Sequence, residues 1–132
     1  MNIRTLEQSC YDNHIELTNE KIDGTKGAFI SYRGLNIINL DCDTEAERYQ
    51  VLGEELGHFF TGSSYNLNCK DALFVARMEF KAKSWNYEHL ISRNKLKAKL
   101  SENFYDIADY FNVTPEFLYK ACEYYVEKYG EI

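Results

Sequence analysis

The residues Thr44 to Gly62, TEAERYQVLGEELGHFFTG, constrain this chain more than any other stretch. Thr44 followed by Glu47 forms a capping-box pattern, with Asp43 as the alternative cap, and Gly62 is a natural stop. One helix over 44–62 is therefore predicted. On a helical wheel Tyr49, Leu52, Leu56, Phe59 and Phe60 share one broad apolar face. Glu54 and His58 are four apart, so they project side by side from one turn. Glu55 falls between that pair and the apolar face.

Two ligands at i and i+4, with a carboxylate nearby to take a proton from bound water, is what a metal site on a helix needs. The string nearly matches the helix motif H-E-x-x-H, with Glu54 standing where the first histidine would be. A helix carrying Glu-Glu and a single His is also common as a solvated face, and the string alone leaves that reading open. A third ligand must come from elsewhere in the chain. Residues 72–91, ALFVARMEFKAKSWNYEHLI, read as a long helix capped by Asp71. On it Glu79 shares a stripe with Val75, Met78, Ala82 and Trp85, the side expected to face the core. A lone carboxylate there is costly to bury without a partner. A metal is one such partner; Arg48 or Arg77 is another.

The remainder of the chain reads as an α+β organisation. Residues 3–11 form a short amphipathic helix stopped at Asn13, and His14 to Thr18 alternate in the strand sense. Residues 19–27 are a loop punctuated by Gly24 and Gly27. Ala28–Tyr32 and Leu35–Leu40 are strands joined by Arg33-Gly34, a spacing that favours an antiparallel hairpin. Residues 63–70 connect to the long helix. A basic link, Arg93 to Lys99, precedes helices at about 102–111 and 115–129, where Thr114 as cap and Pro115 at the first helical position mark a start.

With 132 residues and 45% apolar composition, the chain is expected to form one domain over 1–132 with a real core. Pro115 is the only proline, which suits a helix-rich chain better than a sandwich of short strands. The net charge of -6 argues against non-specific nucleic-acid binding across the surface. Cys10, Cys42, Cys69 and Cys122 form no C-x-x-C pair and read as reduced thiols. The N-terminus has no apolar leader, and no long apolar run is present, so a cytoplasmic protein with no membrane association is expected. His14, on a predicted strand, and His89, about 15 Å along the helix from Glu79, fall outside the candidate site.

These motifs resemble the ImmA/IrrE-type metallopeptidases of bacteria and their mobile elements. The resemblance runs from the glycine-led hairpin Gly24–Leu40, through Val51–Thr61 with its E-L-G-H core, to Glu79–Trp85 and Tyr87–Ile91. It is similar to a phage-associated subgroup carrying E-E-L-G-H. It implies a zincin-like α+β fold: a small antiparallel sheet, then the motif helix and a mainly helical C-terminal half. It also implies a zinc-dependent endopeptidase. Glu55 matches the general base, His58 the second histidine ligand, Glu79 the carboxylate ligand, and Glu54 the position of the first histidine. Carboxylate oxygen can bind zinc. The extra negative charge makes bound water less acidic, and oxygen ligands loosen the preference for zinc over other divalent metals.

The implied substrate is a protein, a helix-turn-helix repressor encoded nearby. The alternative is a catalytically weak or inactive relative serving as a regulatory protein-binding module. Tyr105 to Leu118 itself resembles a helix-turn-helix pattern. Its last helix presents Glu116, Tyr119, Lys120, Glu123 and Glu127, too acidic a face for phosphate contact, so packing on the core is expected instead.

Overall fold

Arg33 and Gly34 take φ of 50° and 80°, the two left-handed positions that a tight hairpin turn requires. They join β2 (Gly27–Tyr32) to β3 (Leu35–Leu40) in antiparallel register, with Phe29 opposite Ile38. The computed structural model describes residues 1–66 and 68–132. It adds to the hairpin a strand that the sequence pattern had not paired. β1 (Ile15–Thr18) runs parallel to β3, giving a mixed sheet of order β1-β3-β2 where a purely antiparallel one was expected. The crossover to β3 passes through the 19–26 loop and β2. Asn39 ties that loop down, accepting from the Glu20 amide at 2.7 Å and donating to its carbonyl at 2.9 Å.

α1 (Ile3–Asp12) is capped by Asn2, and its buried residues Leu6 and Cys10 pack on the sheet and α2. His14 is not a strand residue. It occupies a turn at φ 58°, between α1 and the first strand residue, Ile15. Histidine is among the few side chains tolerated in that left-handed region.

α2 (Glu45–Thr61) has Thr44 as its N-cap, the hydroxyl accepting from the Glu47 amide at 3.2 Å. The reciprocal Glu47 carboxylate bond goes to the Asp43 amide at 3.3 Å, one residue before the cap. Tyr49, Leu52 and Leu56 are fully buried between sheet and helices. Phe60, placed on the apolar face by periodicity, is instead 45% exposed and stacks on Trp85, itself half-buried.

α3 (Ala72–Leu90) packs along α2 more extensively than any other pair of elements meets. After it, the segment read as a basic link contains a short helix, α4 (Arg93–Lys97), capped by Ser92. α5 (Phe104–Phe111) ends at Asn112 in the left-handed conformation. α6 (Pro115–Tyr129) starts at Thr114 as the sequence predicts. Its Leu118, Ala121 and Tyr125 face the core, while Glu116, Tyr119 and Glu123 face out. A polar link ties three helices together. Asn86 on α3 donates to the Gln50 carbonyl at 2.8 Å, and the Gln50 side chain accepts from the Thr114 amide at 3.1 Å. Among the described residues no helix is long and apolar enough to cross a membrane.

Candidate metal and catalytic site at the crossing of α2 and α3

The two helices approach closely because small residues meet where they cross. A Cβ built on Gly57 would lie 2.6 Å from the Ala82 carbonyl oxygen, and one on Gly53 would collide with the Asn86 side chain. Gly53 and Gly57 are four apart, so both face α3. Side-chain-bearing helices usually pack with axes 8–10 Å or so apart, and glycine at the contact sets the low end. The residues just after those glycines are Glu54 and His58, and Glu79 lies one turn before Ala82. Close packing thus carries the polar side chains of α2 toward Glu79.

His58 is 6% exposed, and its ring is held by backbone. Nδ1 lies 3.0 Å from the Ser63 carbonyl, which can only accept, so Nδ1 carries a proton. Nε2 is left facing Glu79 Oε1 at 3.6 Å. Burial of the ring works to lower its pKa, but the Glu79 carboxylate, the Ser63 carbonyl and the charge of Glu55 outweigh it and raise the value. Glu79 is held low, at about 2, chiefly by the contact with His58 and against the opposing effect of burial. The Tyr65 hydroxyl also donates to Glu79 Oε1. Neither arginine weighed as a partner for Glu79 serves as one: Arg48 bonds Asn19 at 2.7 Å, and Arg77 makes no ion pair among the described residues.

Glu55 is 7% exposed, and its carboxylate makes no hydrogen bond among the described residues. The start of β2 lies over it, since a Cβ on Gly27 would come 3.4 Å from Glu55 Cγ and 3.5 Å from its Oε1. Burial raises the Glu55 pKa to about 7, with the neighbouring glutamates adding and His58 opposing. Glu54 is less enclosed. Its pKa is raised by burial first and by Glu79 in addition, against Lys83 and His58.

These shifts predict a pH profile for the metal-free protein. Folded Glu55 keeps a proton that the unfolded chain gives up near 4.5, so stability falls as pH rises from 4.5 through 7. The loss attributable to Glu55 is at most about 3 kcal/mol. His58, also raised, acts in the same direction from 6.5 upward. Glu79, lowered, contributes stability above 4.5 that is lost as pH falls toward 2. Urea unfolding of the metal-free protein should therefore show a maximum in the mildly acid range. Glu55→Gln should flatten the neutral limb, and a wild-type profile already flat from pH 5 to 7 would contradict the burial of an ionisable Glu55.

The donor set can be tested against a metal ion directly. An ion bonded to two donors at ~2.0–2.2 Å in tetrahedral geometry separates them by about 3.4 Å. The His58–Glu79 separation of 3.6 Å is close to that, and Nε2 is the nitrogen free to ligate. As the side chains lie, no group of three His, Cys, Asp or Glu residues among those described could hold an ion. Two of the three expected ligands are thus together. Glu54, four residues before His58, is near enough to feel both charges without joining them.

Sequence reasoning gave no role in the site to Ser63, Tyr65, Gly27, Gly53, Gly57 or Asn86. Only the glycine pair left a signal, its i, i+4 spacing inside the motif helix. His89 stacks on Trp85 with ring centroids 4.0 Å apart, away from the site as expected. A cavity of about 650 Å³ lies between α3 and α6, lined by Phe80, Ser84, Trp85, Glu88, Tyr124 and Lys128 among others. It includes none of Glu54, Glu55, His58 and Glu79.

Comparison with known proteins adds one match. The model of a peptidase family, Peptidase_M78, described as the IrrE N-terminal-like domain, matches residues 10–123, from the end of α1 into α6. No curated protein and no solved structure matches the chain significantly.

Proposed function

Because the chain belongs to the IrrE/ImmA family of metallopeptidases, we propose that the α2–α3 crossing holds a divalent metal, zinc foremost, and hydrolyses peptide bonds in a protein substrate. The observation that carries this reading is the His58 Nε2–Glu79 Oε1 pair at 3.6 Å beside a buried Glu55 whose carboxylate has no partner among the described residues. His58, Glu79 and Glu54 would hold the ion. When bound, it would polarise the scissile carbonyl and acidify a water.

The chain's own residues supply the proton transfers. Glu55, with a pKa near neutrality, accepts a proton from the attacking water at its carboxylate and returns it to the departing amine nitrogen. The Ser63 carbonyl keeps His58 in the tautomer with Nε2 unprotonated in the ligating form. Among the described residues β2 is paired on one side only, to β3, and its other backbone edge, with Ile30 and Tyr32 exposed along the strand, is suited to an extended peptide. Gly27, the β2 residue over Glu55, would bring such a peptide past the base.

The substrate suggested by the family resemblance is a helix-turn-helix repressor, encountered in the cytoplasm. The acidic outer face of α6 speaks against direct nucleic-acid binding by this chain. A second reading is favoured by Glu54: a second carboxylate ligand makes any metal-bound water a poorer acid, as in a weak or inactive relative acting as a binding module. Metal analysis of the purified chain followed by incubation with candidate repressors separates the two. One tightly bound divalent ion and a cleaved repressor are expected. Repressor binding without metal and without cleavage would leave the binding module in its place.

A further inference from the structure

The connection after α2 is built around His58 and reaches across to α3. Gly62 turns the chain in the left-handed conformation, φ 62°. Ser63 is then fully buried and bonded to His58 twice through its backbone. Its N–H donates to the His58 carbonyl at 3.0 Å, and its carbonyl accepts from Nδ1 at 3.0 Å. The Ser63 hydroxyl lies 2.5 Å from Thr61 Oγ1, which donates to the Gly57 carbonyl at 2.7 Å. This strap is therefore fixed to the last turns of the motif helix.

Two residues on, Tyr65 leaves the strap and crosses to α3. Its hydroxyl donates to Glu79 Oε1, the same oxygen that faces His58 Nε2. The tyrosine ring stands edge-on to the imidazole, with centroids 6.1 Å apart and planes at 72°. Glu79 has a competing attraction on its own helix. Lys83 is four residues on, the spacing at which a Glu–Lys pair forms on a helix surface, and its charge already acts on Glu79. Glu79 is partly exposed, on the side of the helix where Lys83 can compete for its carboxylate. The tyrosine hydroxyl is a donor placed on the other side.

We infer that Tyr65 is a positioning residue: its hydroxyl, anchored by the Ser63–His58 strap, holds the Glu79 carboxylate toward His58 Nε2 and away from Lys83, where it can ligate a divalent cation. This rests on the reading of His58 and Glu79 as metal ligands. A donor on Glu79 has a second effect, because it offsets negative charge in a site where Glu54 replaces a neutral imidazole. Partners that orient metal ligands typically change affinity by about 10–100-fold when removed.

The test is calorimetric titration of Zn²⁺ into the full metal-free chain. Tyr65→Phe should weaken binding by about 10–100-fold with circular dichroism unchanged. In a Glu79→Ala chain the same substitution should have no further effect, since the hydroxyl acts through Glu79. Tyr65→Phe/Lys83→Ala should recover part of the lost affinity, which loss of packing alone would not. Wild-type affinity in Tyr65→Phe, an undiminished effect in the Glu79→Ala chain, or no recovery in the double variant overturns the positioning role. Zinc binding that ignores both His58→Ala and Glu79→Ala overturns instead the metal reading on which it rests.

Discussion

Glu55→Gln is expected to slow peptide hydrolysis by roughly 10²–10⁴-fold, the usual contribution of a general base, while metal binding persists. The amide has the same shape as the carboxylate but cannot accept the proton of the attacking water. Glu55 suits that role because it is buried under β2 without a hydrogen-bond partner among the described residues, which lifts its pKa to about 7. A base with that pKa is half ionised at neutral pH and still basic enough to take a proton. The substitution also removes a buried charge, so the folded chain should become more stable at pH 7, by up to about 3 kcal/mol. Loss of cleavage together with a gain in stability distinguishes a base from a structural residue. Equal single-turnover cleavage by wild type and variant, with metal content matched, would remove Glu55 from the mechanism.

Gly57→Ala is expected to lower stability and metal affinity together. In an unencumbered helix alanine gains about 1 kcal/mol over glycine. Here the new methyl would lie 2.6 Å from the Ala82 carbonyl oxygen, and that atom belongs to the α3 backbone and cannot rotate away. Overpacking of this kind costs about 1–3 kcal/mol, and it is relieved only by moving the helices apart. Separation of α2 from α3 is also separation of His58 from Glu79, whose side chains bracket the same crossing. Gly130→Ala serves as the control. That residue has φ 83° and no atom within 4 Å of a built Cβ, so it should lose a little stability and no metal affinity. Thermal melts of both variants, with and without Zn²⁺, make the comparison. A Gly57→Ala chain with the wild-type melting temperature and zinc response would show that the crossing tolerates a methyl and does not set the site.

Much of the fold was legible because local chemistry controls it. Thr44, Thr114 and Gly62 each satisfy helix-end groups through their own side chain or φ preference, and all three act where periodicity placed them. The Arg33-Gly34 turn is equally local. The widest departures lie where a residue's neighbour in space is distant in sequence. β1 joins β3 in parallel across the 19–26 loop and the whole of β2, and nothing in the alternation of Ile15 to Thr18 names that partner or its direction. Periodicity places Phe60 on the apolar face, yet it is 45% exposed and stacks on Trp85, which is half-buried against the core as its stripe predicts. Glycine and alanine at Gly53, Gly57 and Ala82 already fill the crossing, which leaves no room for a large ring between the helices.

The candidate site divides along the same line. The i, i+4 pairing of Glu54 with His58, the carboxylate of Glu55 beside it, and the need of Glu79 for a partner all followed from residue types and helical spacing. Those are properties of single elements and hold wherever the helices lie. That Glu79's partner is His58 rather than an arginine, that Ser63 sets the imidazole tautomer, and that Tyr65 reaches Glu79 depend on how closely α2 and α3 approach. They depend also on how the chain turns after Gly62. Hydrogen-bond partners are chosen over a few ångströms, and only packing of the whole chain defines distances on that scale.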